Sequence, residues 1–110
     1  QEKLEALFDY DLSQTLDQIR LNYSFDVTCQ GSVPQAIISF LESEDFEDAI
    51  RNAISLGGDA DTQACIAGAL AEAFYMKVPK QIKEFVLTRI TPDILDVLHQ
   101  LHVRTKIVLN

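Results

Sequence analysis

The sequence predicts an all-α fold, an orthogonal, multi-helix bundle, on three observations. Apolar residues recur at helical spacing through most of the chain. A single segment alternates as a strand would. The most apolar stretch, from Gln63 to Tyr75, is small-sided almost all round. With 110 residues the chain has room for one core, so it is one compact unit or a piece of something larger.

Leu12, Leu16 and Ile19 stand at i, i+4 and i+7 and predict a first helix, with Asp11 or Ser13 as its cap. From Asn22 the period changes: Tyr23, Phe25, Val27 and Cys29 alternate with polar residues. No second segment of that kind exists to pair with this backbone, so an extended connector is expected. Gly31 breaks the pattern. Ser32-Val33-Pro34-Gln35 then reads as a capping box with Ser32 as N-cap, opening a helix whose apolar face is Val33, Ile37, Phe40 and Leu41. It should end near the acidic run Glu42 to Asp48. There Ser43 or Asp45 caps the next helix and the carboxylates sit in water near its positive end, which explains them better than a cation site does.

The next helix carries Phe46, Ala49, Ile50, Ala53 and Ile54 on one face and stops at Gly57-Gly58. The alanine-rich helix that follows should be buried mid-bundle with partners on several sides, because Ala and Gly let backbones approach closely. Pro79 opens a further helix through Ile82, Phe85, Val86 and Ile90. Thr91 as N-cap with Pro92 at the first helical position starts a last one through Ile94, Leu95, Leu98 and Leu101. The tail from His102 to Asn110 fits either a continued helix or a short extended end.

A formal net charge of -8 argues against nucleic acid and anionic membrane surfaces as partners. Ala64 to Ala71 is the longest apolar stretch, far short of the roughly 20 residues that span a bilayer, so no membrane segment is expected. Two cysteines, Cys29 and Cys65, do not make a disulfide framework, and a reducing compartment, the cytoplasm, is the simpler reading. The chain opens at Gln1 without a basic-then-apolar leader, so its start reads as a processing or proteolysis boundary.

The chemistry concentrates at Asp59-Ala60-Asp61-Thr62. A helix start needs one cap, yet two carboxylates and a hydroxyl arrive within four residues, after two glycines that permit unusual backbone angles. Carboxylates so close repel unless a cation offsets them, and carboxylate with hydroxyl suits Mg²⁺, Ca²⁺ or Mn²⁺ rather than zinc. The plainer reading of a bare Asp-x-Asp at a helix start is a cap beside a solvated neighbour. An EF-hand is excluded, because counting from Asp59 puts Leu70 where a bidentate Glu is required. Asp59-Ala60-Asp61-Thr62 also resembles the Asp-x-Asp-x-Thr nucleophile motif of haloacid-dehalogenase-type phosphatases, with Thr one place early, but that motif follows a buried strand, and here it follows a helical pattern.

The run Ala53 to Ala69, with Gly57-Gly58-Asp59-Ala60-Asp61-Thr62 at its centre, closely resembles the C-terminal signature of the ADP-ribosylglycohydrolase family, the relatives of dinitrogen-reductase-activating glycohydrolase. The resemblance extends to Gly31 to Ile37, to Asp45 to Ile50 and to Glu72 to Tyr75. It implies an all-helical enzyme that uses two Mg²⁺ ions, with Mn²⁺ possible, to remove ADP-ribose from a modified protein side chain or another ADP-ribose-containing molecule. Carried over residue by residue, it makes Asp59, Asp61 and Thr62 metal ligands. Gly57 and Gly58 become the loop that shapes the site, and Ser32 a residue near the ligand cavity. The family's N-terminal half carries a Thr-Asp-Asp-type metal cluster and an acidic residue near the metals. Neither Thr-Asp-Asp nor any comparable cluster occurs here, so the resemblance implies the C-terminal part of a larger fold. That part holds half of a metal site, is inactive alone, and needs the other half or another chain to complete its core. Met76-Lys77 stands where the family often has Gly. The rival classes are a non-catalytic helical module or degenerate relative, and the aspartyl-nucleophile phosphatase.

His99 and His102, at i and i+3, read as solvent-facing histidines near a helix C-terminus. Cys65 reads as a small core residue. Tyr23 and Phe25 read as core rings before they read as a stack for adenine.

Overall fold

A computed structural model describes residues 1–105. The last residues of the tail, 106–110, lie outside the described part; up to Thr105 the tail continues the last helix. The described residues contain seven helices and no strand; the all-helical class is as the spacing predicts, and the first helix, Glu2–Phe8, is one the sequence reading did not expect. The chain divides into two compact units, residues 1–76 and 77–110.

In the first unit α1 spans Glu2–Phe8, α2 Leu16–Asn22, α3 Cys29–Leu41, α4 Phe46–Ser55 and α5 Ala60–Tyr75. Helices α3, α4 and α5 pack on one another, and α2 packs on α3. Their contact is made by small residues: Ala36, Ala49, Ala53, Ala67 and Ala71 are fully buried, with Ser32, Ser39 and Gly68 beside them. Short side chains let the helix axes close in, and the larger apolar groups are displaced to the flanks. Leu12, Leu16, Ile19, Ile38 and Leu56 form the larger-sided core, with Tyr10, Tyr23 and Ile37 packed against it.

Three helix starts differ from the sequence expectation. The first helical pattern does not begin under an Asp11 or Ser13 cap. Thr15 caps α2 through a capping box with Gln18, and Leu12 reaches the core from the preceding segment. Asp11 instead accepts from the Ser13 backbone and hydroxyl, a local turn that competes with helix. Ser32 is not an N-cap. The connector, non-helical from Tyr23 as expected, ends at Thr28, whose side chain accepts from Gly31 N at 3.1 Å. Gly31 and Pro34 therefore lie inside α3. Helix α1 has no buried residue and left no amphipathic pattern to read.

The buried face of α3 also differs. Ser32, Ala36 and Ser39 face the neighbouring helices, whereas Leu41 is exposed and Phe40 half-buried. Hydrophobic periodicity weights the large side chains, while close helix contact selects the small ones. Both serines are satisfied within the helix, Ser32 Oγ donating to Thr28 O at 2.6 Å and Ser39 Oγ to Gln35 O at 2.8 Å.

Asp45 caps α4, its carboxylate accepting from Asp48 N at 2.7 Å, one of the two caps expected. Tyr75 at the end of α5 donates to Ser43 O at 2.7 Å and packs edge-on with Phe40, tying that turn to the far end of α5. Met76 ends α5 in the left-handed region, φ 56°, the conformation for which glycine is favoured at this place. In the second unit α6 spans Lys80–Leu87 behind Pro79 and α7 spans Pro92–Thr105 behind Thr91; both starts are as the proline positions predict, but α6 stops at Leu87 and leaves Ile90, expected on its face, in the turn that follows.

Candidate metal centre

Helix α4 stops because two consecutive glycines adopt positive φ, 74° at Gly57 and 68° at Gly58, angles that L side chains rarely take. The reversed chain enters α5 through Asp59. Its φ of -79° and ψ of 66° put it at the N-cap, yet its side chain makes no capping hydrogen bond. The carboxyl is left free to point elsewhere. It comes within hydrogen-bonding reach of the Asp61 carboxyl, and this contact, with the Thr62 and Asp61 backbone N–H groups, holds Asp61 below its ordinary value. Thr62 N donates to Asp61 Oδ1 at 2.9 Å. Asp61 and Thr62 are exposed and Asp59 is half-buried. Among the described residues nothing hydrogen-bonds the Thr62 hydroxyl.

Beneath this ledge lies a residue that the sequence reading passed over. Gln63 is fully buried. One end of its amide faces two carbonyl oxygens, which only accept, so the nitrogen sits there, donating to Gly57 O at 3.1 Å and Ala53 O at 3.2 Å. Its oxygen faces the Tyr23 hydroxyl. That hydroxyl has one proton and two acceptors, the Gln63 amide oxygen and Gly31 O at 2.5 Å. Burial raises the Tyr23 phenol, and the nearby Asp26 and Asp59 carboxylates push the same way, so it is a protonated donor at neutral pH. The signal for Gln63 was its spacing: Gln63, Ala67 and Ala71 fall four apart on the one buried face of α5.

The sequence reading correctly placed Asp59, Asp61 and Thr62 at the start of an alanine-rich helix behind a glycine turn. Gly57 and Gly58 are both exposed at that turn. Ser32, 3% exposed, has its hydroxyl committed to the Thr28 carbonyl in the first turn of α3. Cys65 is not a core residue. It is exposed along with Ala69, Glu72 and Ala73, because among the described residues of the first unit α3 and α4 cover α5 on one side, not all round as expected. Phe25 is 69% exposed, whereas Tyr23 packs inward as expected. His99 is exposed and His102 half-buried, and no three His, Cys, Asp or Glu side chains among the described residues converge on a point. The segment before Asp59 is helix α4 and not a strand, which removes the support that a phosphatase nucleophile would require. No helix among the described residues is long and apolar enough to cross a membrane.

The donor set fits a hard divalent cation in kind: two converging carboxyl groups and an unengaged hydroxyl, without sulfur or imidazole. In number it is incomplete, since Mg²⁺ takes about six oxygen ligands.

Fold and turn together define an all-helical protein in which a double-glycine reversal delivers Asp-x-Asp-Thr to the first turn of a small-residue helix. The chain belongs to the ADP-ribosylglycohydrolase family, whose sequence profile matches residues 2–106. It is similar to a protein of Archaeoglobus fulgidus described only as uncharacterized, with 34% identity over 73 residues. That match covers 66% of this chain and 24% of the relative, so the chain corresponds to about a quarter of the relative's length. No solved structure matches it.

Proposed function

We propose that this chain supplies one half of a divalent-cation site in an enzyme that hydrolyses the bond between ADP-ribose and a modified protein side chain or a related acceptor. The observation that carries the reading is that the double-glycine reversal sets Asp59, Asp61 and Thr62 together in the first turn of α5 on an exposed ledge, with the Asp59 side chain capping nothing and the Thr62 hydroxyl unengaged. Two acids brought together with no basic partner between them repel in the ionised state, and a doubly charged cation offsets that repulsion. When bound, Mg²⁺, or Mn²⁺ in its place, two ions in all, polarises and orients the ribose hydroxyls beside the bond that is cut.

Asp59, Asp61 and Thr62 hold this side of the site. The exposed Gly57 and Gly58 backbone lies against the ligand; at Gly57 the Cβ direction is open, whereas at Gly58 it is filled by the Tyr23 ring. Ser32 supports it from below by fixing the first turn of α3, whose Gly31 carbonyl meets Tyr23. The remaining ligands and the general acid or base come from outside this chain, from the rest of a longer protein or from another chain. The isolated chain is therefore inactive. The bare face of α5 offers the complementary part a place to pack.

The test is release of ADP-ribose from ADP-ribosylated protein by the longest reading frame that encodes this chain, with Mg²⁺ and with excess chelator. Release that requires the metal is expected from the long form and none from residues 1–110 alone. Absence of release from the long form under every acceptor chemistry would favour the non-catalytic relative.

A further inference from the structure

We infer that Tyr23 and Gln63 are positioning residues for the cation site, a clamp that fixes where the Asp59 and Asp61 carboxyl groups sit; the inference rests on the reading of that site given above. One residue brackets the whole reversal. The Gln63 backbone N–H donates to Asp59 O at 3.1 Å while its side-chain nitrogen donates to Gly57 O at 3.1 Å, so the Gly57-Gly58-Asp59 segment is held at both ends by a side chain and a backbone that cannot move independently. The same nitrogen reaches Ala53 O at 3.2 Å, joining the last turn of α4 to the first turn of α5.

Tyr23 closes the other side. Its ring lies so near Gly58 that a Cβ there would sit 2.6 Å from Cε1, and its hydroxyl meets the Gln63 amide oxygen. Gly58 thus lies against the ring while the amide holds the carbonyl of Gly57 before it, and a helix reversal made of two glycines loses the freedom that glycine normally brings. A fully buried amide is costly unless it is paired; here the nitrogen donates to the Gly57 and Ala53 carbonyls, while the oxygen shares the single Tyr23 hydroxyl proton with Gly31 O. What this arrangement adds is a fixed origin for Asp59, whose side chain has no cap bond of its own to orient it.

The experiment uses Mn²⁺ as the probe, its free concentration read by electron paramagnetic resonance, on the protein from the longest reading frame that encodes this chain. Tyr23→Phe keeps the ring on Gly58 and removes only the hydroxyl. Gln63→Met keeps the bulk and removes both ends of the amide. Outer-shell contacts of this kind typically govern roughly 10- to 100-fold in metal affinity. Gln63→Met is expected to weaken Mn²⁺ binding at least tenfold and Tyr23→Phe about three- to tenfold. The rise in melting temperature on adding Mn²⁺ should shrink in both, a change that a purely structural clamp, lowering the melting point equally with and without metal, would not produce. If Gln63→Met does not fold, Tyr23→Phe decides alone. Folded variants that bind Mn²⁺ within twofold of the parent overturn the clamp while leaving the site intact. A parent that binds no Mn²⁺, or binds it unchanged after Asp59→Asn, overturns the site and the clamp with it.

Discussion

Replacing Asp59 and Asp61 together by alanine in the longest form of the protein should reduce ADP-ribose release by on the order of 10³ or more and leave the fold in place. The two effects separate because of where the acids sit. Asp61 is exposed, Asp59 is half-buried, and the Asp59 side chain caps nothing, so the side-chain acceptor α5 loses is the Asp61 Oδ1 on the Thr62 N–H, an exposed group that water can serve. Removing both acids also relieves the repulsion between them. Against this, the first turn of α5 loses negative charge at its positive end, a contribution of about 0.3–1 kcal/mol for an exposed group. Circular dichroism and the melting temperature in chelator should therefore stay close to the parent while turnover disappears. Unchanged release in the double variant would remove both residues from the site.

Gly58→Ala should be the most damaging single change at the turn, with an expected loss of about 2–4 kcal/mol in unfolding free energy. Two costs add. A side chain at φ 68° pays the left-handed penalty of about 1–2 kcal/mol. The new Cβ would also stand 2.6 Å from Tyr23 Cε1 and 3.3 Å from the Ser24 carbonyl oxygen, so the ring must shift away from the core against which it packs. Gly57 is the internal control. It has φ 74° but nothing within 4 Å of its Cβ position, so Gly57→Ala should incur the backbone cost alone. Denaturant midpoints for the two variants measure the difference. Placed in a Tyr23→Ala background, Gly58→Ala should fall most of the way toward the Gly57→Ala value, because the ring contact is gone and only the 3.3 Å approach to the Ser24 carbonyl oxygen remains. Equal costs in the parent would show that the ring does not press on the turn.

Much of this was legible in the sequence where one local rule dominated. The double glycine after Ile54, the Asp45 cap and the Thr91-Pro92 start each depend on backbone preferences of one or two residues, and each is found as expected. The reading failed where two local signals competed. Ser32-Val33-Pro34-Gln35 satisfies the pattern of a capping box, but Thr28 reaches Gly31 N first and α3 begins earlier. Asp11 and Ser13 offer a cap and make a turn with each other. It failed too where tertiary contact selected against size, turning the small face of α3 inward and leaving Leu41 outside.

Of the candidate site, the three oxygen-bearing residues and the glycines were visible because their chemistry is crowded into six consecutive positions. Gln63 was not, since a glutamine after Thr62 looks like surface, and only the four-residue spacing to Ala67 and Ala71 places it inside. Its partner Tyr23 is forty residues away in a connector whose alternation gives no sign of where the ring will rest.

The account depends on the Asp59 and Asp61 carboxyl groups being ligands. Anomalous diffraction from crystals of the full-length protein soaked in Mn²⁺ tests this most directly. A peak about 2.1 Å from oxygens of both carboxyl groups is predicted, that being the ordinary oxygen distance for a small hard cation of this class. Mn²⁺ bound elsewhere, with both carboxyl groups turned to solvent, would contradict it.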